Sequence, residues 1–125
     1  MIQKEGPGWR LARDEARFPF TVLIGGENWS CELTYEEWCE MAPLVFELID
    51  QYQKLKNQLC PEEQICLELE RLPWWGCLDG DRDFWSLKLI LEGNGEKLRG
   101  LEMCWPIPSA QAMASAMRTM WDSDQ

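Results

Sequence analysis

The chain has 125 residues, of which 46% are hydrophobic and 27% charged, so it has enough length and apolar content for a single folded domain. Its 12 basic and 22 acidic residues give a formal charge of −10, which opposes general attraction to nucleic acid or to an anionic membrane. Because neither a signal peptide nor a run of ~18 apolar residues is recognisable, we expect a cytoplasmic protein without a membrane partner.

Three short strands are predicted within residues 8–33. Trp9–Arg13 and Trp29–Leu33 alternate between apolar and polar residues, and Phe20–Ile24 is apolar and β-branched. Gly25 and Gly26 follow the second of these strands, and glycine tolerates the positive φ of a tight turn. The pair therefore predicts a turn between two strands and no phosphate-binding loop.

A long helix is predicted over residues 34–60. Thr34 and Glu37 have the spacing of a capping box, and Leu33 and Trp38 have that of a hydrophobic staple. Apolar residues then recur at steps of three and four and form one stripe: Trp38, Met41, Val45, Leu48, Tyr52, Leu55 and Leu59. Pro43 interrupts the stripe, which predicts a kink, or a short first helix followed by a longer one.

The second half of the chain predicts more strands and a final helix. The strands fall within residues 64–105, as Ile65–Leu72, Trp74–Leu78, Phe84–Leu91 and Lys97–Trp105. Turns are expected at Asp79–Asp83 and at Asn94-Gly95. A helix over 108–121 has the apolar face Met113, Ala116, Met117, Met120 and Trp121. Strands, helix, strands and helix in one domain of residues 1–125 predict an α+β fold with antiparallel sheets.

Residue types exclude much catalytic and metal chemistry. Histidine is absent, which removes the commonest general base and the usual nitrogen ligand of metals. The six cysteines contain no Cys-x-x-Cys pair, so a zinc site would need cysteines brought together from distant positions. We expect reduced, buried thiols, with no metal and no cofactor. The cysteines are Cys31, Cys39, Cys60, Cys66, Cys77 and Cys104.

The segment Asp79–Asp83 places aspartates at alternate positions, as at the start of a calcium loop. Phe84 and Ile90 stand where such a loop needs glycine and a bidentate glutamate. The pattern therefore favours a solvated turn.

Glu68 and Glu70 share one face of a predicted strand, and paired carboxylates catalyse glycoside hydrolysis. No long loop that would build a pocket accompanies them. We expect a solvated sheet face on which Lys88 and Arg99 balance the two acids, and no enzymatic activity.

One locally basic and aromatic segment is the candidate binding surface. It consists of Trp9, Arg10, Arg13 and Arg17, and a weaker basic set follows at Lys88, Lys97 and Arg99. Aromatic and basic side chains on a sheet hold single-stranded nucleic acid in many proteins. The acidic net charge favours the other interpretation of these residues, which is ordinary surface charge beside a tryptophan at the edge of the core. Each of the eight tryptophans needs a partner for its indole N–H, so many should lie at that edge or in an interface.

Taken together, the motifs resemble a cyanobacterial family known as domain of unknown function 1818. The residues that match are Gly8-Trp9-Arg10; Gly25-Gly26 with Trp29; Glu32-Leu33-Thr34 with Glu37-Trp38; Glu62-Glu63 with Ile65; Cys66 with Glu68; Trp75; Gly80; Ser86-Leu87 with Ile90-Leu91; and Glu102 with Trp105-Pro106. The family tends to carry proline soon after the central glycine, whereas Arg82 follows Gly80-Asp81 here.

The resemblance implies a fold similar to that of the Whirly plant DNA-binding proteins and related transcriptional coactivators. In that fold two antiparallel sheets, each followed by a helix, pack around a helical centre. No catalytic residues are implied. We therefore expect a non-catalytic binding or protein-interaction module, with a protein partner or self-association, because an acidic, tryptophan-rich surface suits such contacts. The alternative, by analogy of fold, is a single-stranded nucleic-acid binder.

Overall fold

Two four-stranded antiparallel sheets and two helices make up this computed structural model, which describes residues 1–93 and 99–124. The α+β prediction is confirmed. Sheet A contains β1 (Ile2–Gly6), β2 (Trp9–Arg13), β3 (Val22–Gly26) and β4 (Ser30–Leu33), and α1 (Tyr35–Leu55) follows it. Sheet B contains β5 (Ile65–Arg71), β6 (Trp74–Gly80), β7 (Trp85–Leu91) and β8 (Leu101–Trp105), and α2 (Ser109–Ser123) follows it. Short 3-10 turns lie at Glu15–Arg17 and Lys56–Gln58.

Each sheet is a meander in which consecutive strands pair, as short turns dictate. Strand β1 is an addition to the predicted set, and it pairs with β2 from Ile2 opposite Arg13 to Gly6 opposite Trp9. Ile2, Lys4 and Gly6 of β1 lie on the same side of sheet A as Leu11, and only Ile2 among them is large and apolar. The sequence of β1 therefore lacks the alternation of apolar and polar residues that predicts a strand. The pairing comes from the neighbouring strand instead.

The start of α1 is as predicted. The Thr34 hydroxyl accepts from the Glu37 amide at 3.1 Å, and the Glu37 carboxylate accepts from the Thr34 amide at 2.8 Å. The helix continues without a break through Pro43, so the alternative of two helices was wrong. Buried neighbours on both sides, Ala42 and Leu44, offset the one backbone hydrogen bond that proline cannot make.

The far end of α1 is shorter than predicted. The helix ends at Leu55, and a 3-10 turn follows it. Leu55 is 38% exposed and Leu59 is only partly buried, so the last part of the stripe has little apolar surface to cover. The expected hairpin turn at Asn94-Gly95 and the start of the last strand at Lys97 lie outside the described residues.

The register of sheet B separates an inner face from an outer face. Along β7, Trp85, Leu87, Leu89 and Leu91 are buried, as predicted. Gly80 belongs to β6 rather than to the turn, because it pairs with Ile65 and Trp85 on its two sides. We call the opposite side the outer face of sheet B. It carries Cys66, Glu68, Glu70, Trp75, Cys77, Asp79, Ser86, Lys88, Ile90, Glu102 and Cys104.

The two halves exchange their helices. Helix α1, which follows sheet A, packs mainly on β5 and β6 of sheet B, whereas α2 packs on β1 and β2 of sheet A and on β7. The Trp105 indole also donates to the Gly25 carbonyl at 3.0 Å and so joins the two sheets. One continuous core therefore spans the molecule.

The tryptophans divide between the core and its edge. Trp38, Trp74, Trp85 and Trp105 are buried, and Trp9, Trp29, Trp75 and Trp121 are partly exposed. Within the described residues, the indole nitrogens of Trp38 and Trp74 make no hydrogen bond. Four of the eight tryptophans thus lie at the edge of the core, and at Trp38 and Trp74 a large buried apolar area outweighs the unpaired N–H.

Candidate interaction surface

The six described residues of the two candidate basic sets do not lie together, and Lys97 lies outside the described residues. Trp9 and Arg13 point to the same side of sheet A as Leu11, whereas Arg10 points to the opposite side. Arg17 lies in the 3-10 turn after β2, and Lys88 is on the outer face of sheet B. Arg99 precedes β8. The fold therefore distributes the candidates over at least three surfaces.

Carboxylates neutralise most of these cations. The pairs are Arg13 with Glu15 and Asp124, Arg17 with Glu32, Lys88 with Glu102, and Arg99 with Glu37. The hydrogen bond to Glu102 raises the pKa of the Lys88 ammonium. Within residues 1–93 and 99–124 the basic side chains thus form no contiguous strip that could follow a phosphate backbone.

Arg10 is the exception, since it is exposed and forms no ion pair with any described residue. It borders a groove of about 540 Å³ at one end of sheet A. Two indoles form part of this groove, and each lies over a glycine. A Cβ on Gly6 would lie 2.5 Å from the Trp9 indole, and one on Gly26 would lie 2.3 Å from that of Trp29. The groove is lined by Glu5, Gly6, Gly8, Trp9, Arg10, Gly26, Glu27, Asn28, Trp29 and Ser30.

A second depression, which we call the acidic cleft, was not predicted. Its volume is about 390 Å³, and it lies beside the first turns of α1. Its lining residues are Phe20, Thr34, Glu36, Glu37, Glu40, Pro73, Leu91, Glu92 and Arg99. They come from five separate parts of the chain, so no local pattern reveals them. The one available signal was the density of glutamates at the start of the helix.

The charges of the acidic cleft are unevenly balanced. Glu37 is engaged by the Thr34 amide and by the Arg99 guanidinium, which also donates to the Glu32 carbonyl at 2.6 Å. Glu36, Glu40 and Glu92 are exposed and make no ion pair with any cation among the described residues. The cleft therefore presents a surplus of negative charge.

Apolar side chains accompany these acids. Phe20, Pro73 and Leu91 form the apolar wall of the cleft, and the Arg99 guanidinium carbon lies 4.8 Å from the centre of the Phe20 ring. Phe18 and Leu72 stand close in sequence to two of these wall residues and are 83% and 69% exposed. Large exposed apolar side chains beside a concave acidic surface are typical of a region that contacts another protein.

The predicted acidic turn is confirmed as a backbone feature. The Asp81 carboxylate accepts from the Asp83 and Phe84 amides, both at 2.9 Å. These bonds hold the pKa of Asp81 below its usual range, and the bond from the Phe84 amide contributes most to that shift. The carboxylate thus closes the turn, which connects β6 to β7.

Glu68 and Glu70 do lie on one exposed face, as predicted. Their expected cationic partners were wrong. Lys88 pairs with Glu102 on the neighbouring strand β8, and Arg99 lies before β8 in the chain and pairs with Glu37. The reason is register, because Cys77 stands between Glu68 and Lys88 in the row across the sheet.

The cysteines differ from the expectation of buried thiols. All six are free, but only Cys77 is buried, and Cys60, Cys66 and Cys104 are exposed. Cys66 and Cys104 are exposed because they lie on the outer face of sheet B, in its two edge strands. Cys66, Cys77 and Asp79 are also the one group of three potential metal ligands within the described part of the chain.

Among the described residues, no helix has the length and apolar character that crossing a bilayer requires.

Comparisons with known proteins agree with this architecture. A family model described as a domain of unknown function, DUF1818, matches residues 4–120. A crystal structure at 1.80 Å resolution, of a protein with unknown function from Prochlorococcus sp. NATL2A, is 49% identical. The match covers 97% of this chain and 99% of that one, with a TM-score of 0.92. No curated protein matches.

The Prochlorococcus protein is described as belonging to the DUF155 family, a label that differs from that of the matching family model. The model match decides the family here, because it covers residues 4–120. The expected likeness to Whirly proteins stays a prediction.

Proposed function

The chain belongs to the DUF1818 family. We propose that it is a non-catalytic, cytoplasmic protein-interaction module whose partner binds at the acidic cleft. One observation carries the proposal. Glu36, Glu40 and Glu92 are exposed around an apolar wall, without cationic partners among the described residues. Phe18 and Leu72, which are close in sequence to two residues of that wall, are also exposed.

The chemistry of the cleft suggests the chemistry of the partner. A segment with basic and apolar side chains would neutralise the glutamates and cover Phe18 and Leu72. Complementary charge mainly raises the rate of association and selects the partner, while the buried apolar contacts hold it. A second copy of this acidic chain would bring like charges together, which favours a different protein over self-association.

A charge-reversal experiment tests the proposal. The wild type, Glu36→Lys/Glu40→Lys and Glu68→Lys/Glu70→Lys are immobilised and exposed to a cyanobacterial lysate, and retained proteins are quantified by mass spectrometry. The second variant is the matched control, because it makes the same charge change on the outer face of sheet B. We expect a protein that binds the wild type and the control, and binds the cleft variant about tenfold less.

Two results would overturn the acidic cleft as the binding site. One is the absence of any retained protein, and the other is equal retention by the two variants. Circular dichroism of each variant excludes unfolding as the cause of a loss, since lysine near a helix N-terminus costs ~0.3–1 kcal/mol.

A second candidate function is the binding of single-stranded nucleic acid, and the groove of sheet A favours it. Arg10 lies there beside two partly exposed indoles, those of Trp9 and Trp29, on which bases could stack. Labelled oligonucleotides should then bind at low salt and lose affinity in Arg10→Glu, but not in Arg118→Glu. An absence of binding at low salt would eliminate this candidate, because phosphate contacts are strongest there.

A further inference from the structure

We propose that Cys66, Cys77 and Asp79 form a binding site for a thiophilic divalent cation of the Zn²⁺ type on the outer face of sheet B. This inference is independent of the acidic cleft, since it uses other residues on another surface. It also reverses the expectation from the sequence, in which distant cysteines were predicted to stay apart as separate thiols.

The register of two neighbouring strands brings the three side chains together. Cys66 of β5 lies directly opposite Asp79 of β6, and Cys77 lies opposite Glu68. Because alternate residues of a strand share one face, Cys77 and Asp79 point to the same side, and Cys66 stands diagonally across from Cys77. Paired strands are rigid, so the donor atoms are held without a flexible loop.

The distances between the donors approach those of a tetrahedral site. The Sγ atoms of Cys66 and Cys77 are 3.5 Å apart, and Cys77 Sγ lies 3.3 Å from Asp79 Oδ2. All three donor atoms lie within 4.8 Å of one another. A tetrahedral ion with Zn–S bonds near 2.3 Å and a Zn–O bond near 2.1 Å would separate its sulfurs by about 3.8 Å and sulfur from oxygen by about 3.6 Å. The two distances that involve Cys77 Sγ are within a few tenths of an ångström of these values. The exposed Cys66 and Asp79 side chains would make the remaining adjustment by rotation.

The type of donor selects the ion. Two thiolates and one carboxylate suit Zn²⁺ and similar soft or borderline cations, whereas Mg²⁺ and Ca²⁺ require sets of oxygen ligands. Cys77 is 6% exposed and forms the floor of the site, and Cys66 and Asp79 are exposed at its rim. An ion can thus enter from solvent, and water would complete the fourth position.

The electrostatics of the cluster fit a cation as its missing component. Asp79 has no ion-pair partner within the described residues, although it lies against two thiols. A bound cation would supply the countercharge that Asp79 lacks.

Metal titrations test the inference directly. The metal-free full chain, kept reduced with a phosphine, is titrated with Zn²⁺ in a calorimeter and with Co²⁺ in an absorption spectrometer. We expect one Zn²⁺ per chain, the sulfur-to-cobalt charge-transfer band of thiolate ligation, and tighter binding as pH rises from 6 to 8.

Variants assign the ligands. Cys66→Ser and Asp79→Asn change exposed side chains and should fold normally, yet bind Zn²⁺ at least ~10-fold more weakly. Cys104→Ser is the matched control, since Cys104 is an exposed thiol on the same face of sheet B. The proposal fails if the reduced wild type takes up no Zn²⁺, or if Cys66→Ser binds it as tightly as Cys104→Ser does.

Discussion

Arg99 donates a hydrogen bond to the same carboxylate oxygen of Glu37 that accepts from the Thr34 amide at the start of α1. Because Arg99 immediately precedes the last strand of sheet B, one oxygen joins the second half of the chain to the helix cap of the first. The Arg99 side chain is 36% exposed and that of Glu37 is 19% exposed, so solvent screens this pair only in part.

We expect Arg99→Ala to lower the free energy of unfolding by about 1 kcal/mol, since it removes a charged hydrogen bond and the stacking on Phe20. Chemical denaturation measures the change. Arg10→Ala is the control, as Arg10 has no ion-pair partner among the described residues, and it should alter stability by less than ~0.5 kcal/mol. Equal changes in the unfolding free energy of the two variants would show that the contact of Arg99 with Glu37 does not stabilise the fold. Glu37→Gln separates charge from hydrogen bonding, because the glutamine amide oxygen still accepts from Thr34 but carries no charge opposite Arg99.

Trp105 makes the one indole hydrogen bond that joins the sheets in the described part of the chain, to the Gly25 carbonyl. Trp105→Phe removes this bond and leaves unfilled space in the core, so we expect a loss of about 2 kcal/mol. Trp75→Phe, on the outer face of sheet B, should cost less than ~1 kcal/mol. Thermal melts of the two variants compare the sites, and a similar change in both would contradict the role assigned to Trp105.

Alanine substitutions at three glycines should destabilise the fold to different degrees. A Cβ on Gly80 would lie 2.1 Å from the Phe84 carbonyl oxygen, which belongs to the backbone and cannot yield. On Gly76 it would meet Leu44 Cδ2, the end of a side chain, at 2.7 Å, and on Gly100 it would meet nothing nearer than 3.6 Å among the described residues. We expect Gly80→Ala to be the most destabilising, Gly76→Ala to cost about 1–3 kcal/mol, and Gly100→Ala to be nearly neutral. Denaturation midpoints establish the order, and any other order would refute it.

We expect the stability of the fold to depend on pH through the carboxylate of Asp81. Since the Phe84 and Asp83 amides lower its pKa in the folded chain, its ionised form stabilises the native state above the pKa of the unfolded chain, near 4. That contribution disappears as pH falls through the lower, folded value. Asp81→Ala should therefore melt below the wild type at pH 7, and the gap should narrow toward pH 2. A gap that is constant with pH would show that the charge of Asp81 is not responsible.

Local interactions explain why part of the fold was predictable. The capping box of Thr34 and Glu37 lies within four residues, and the alternation of inward and outward residues along β7 follows from consecutive positions. Both were confirmed. Strand β1 was not predicted, because its inward face carries a single large apolar residue, Ile2, and its pairing depends on β2.

The surfaces were less predictable, because they depend on register and on contacts between distant segments. The acidic cleft takes Phe20, Glu40 and Glu92 from separate parts of the chain. Cys66 and Cys77 are 11 positions apart, and only the pairing of β5 with β6 brings them into contact. The basic residues proposed as one binding surface lie on several surfaces, and their carboxylate partners follow from the fold and not from spacing.

Because each helix packs on the sheet of the other half, neither half of the chain has a complete core of its own. A break between residues 58 and 65 would separate α1 from the strands that it covers, and α2 from β1 and β2. Each fragment would then expose the inner face of its own sheet to water, and neither would be a self-sufficient unit. Mixed together, the two fragments would regain a shared core only by reassociating, so the chain is suited to complementation of one half by the other.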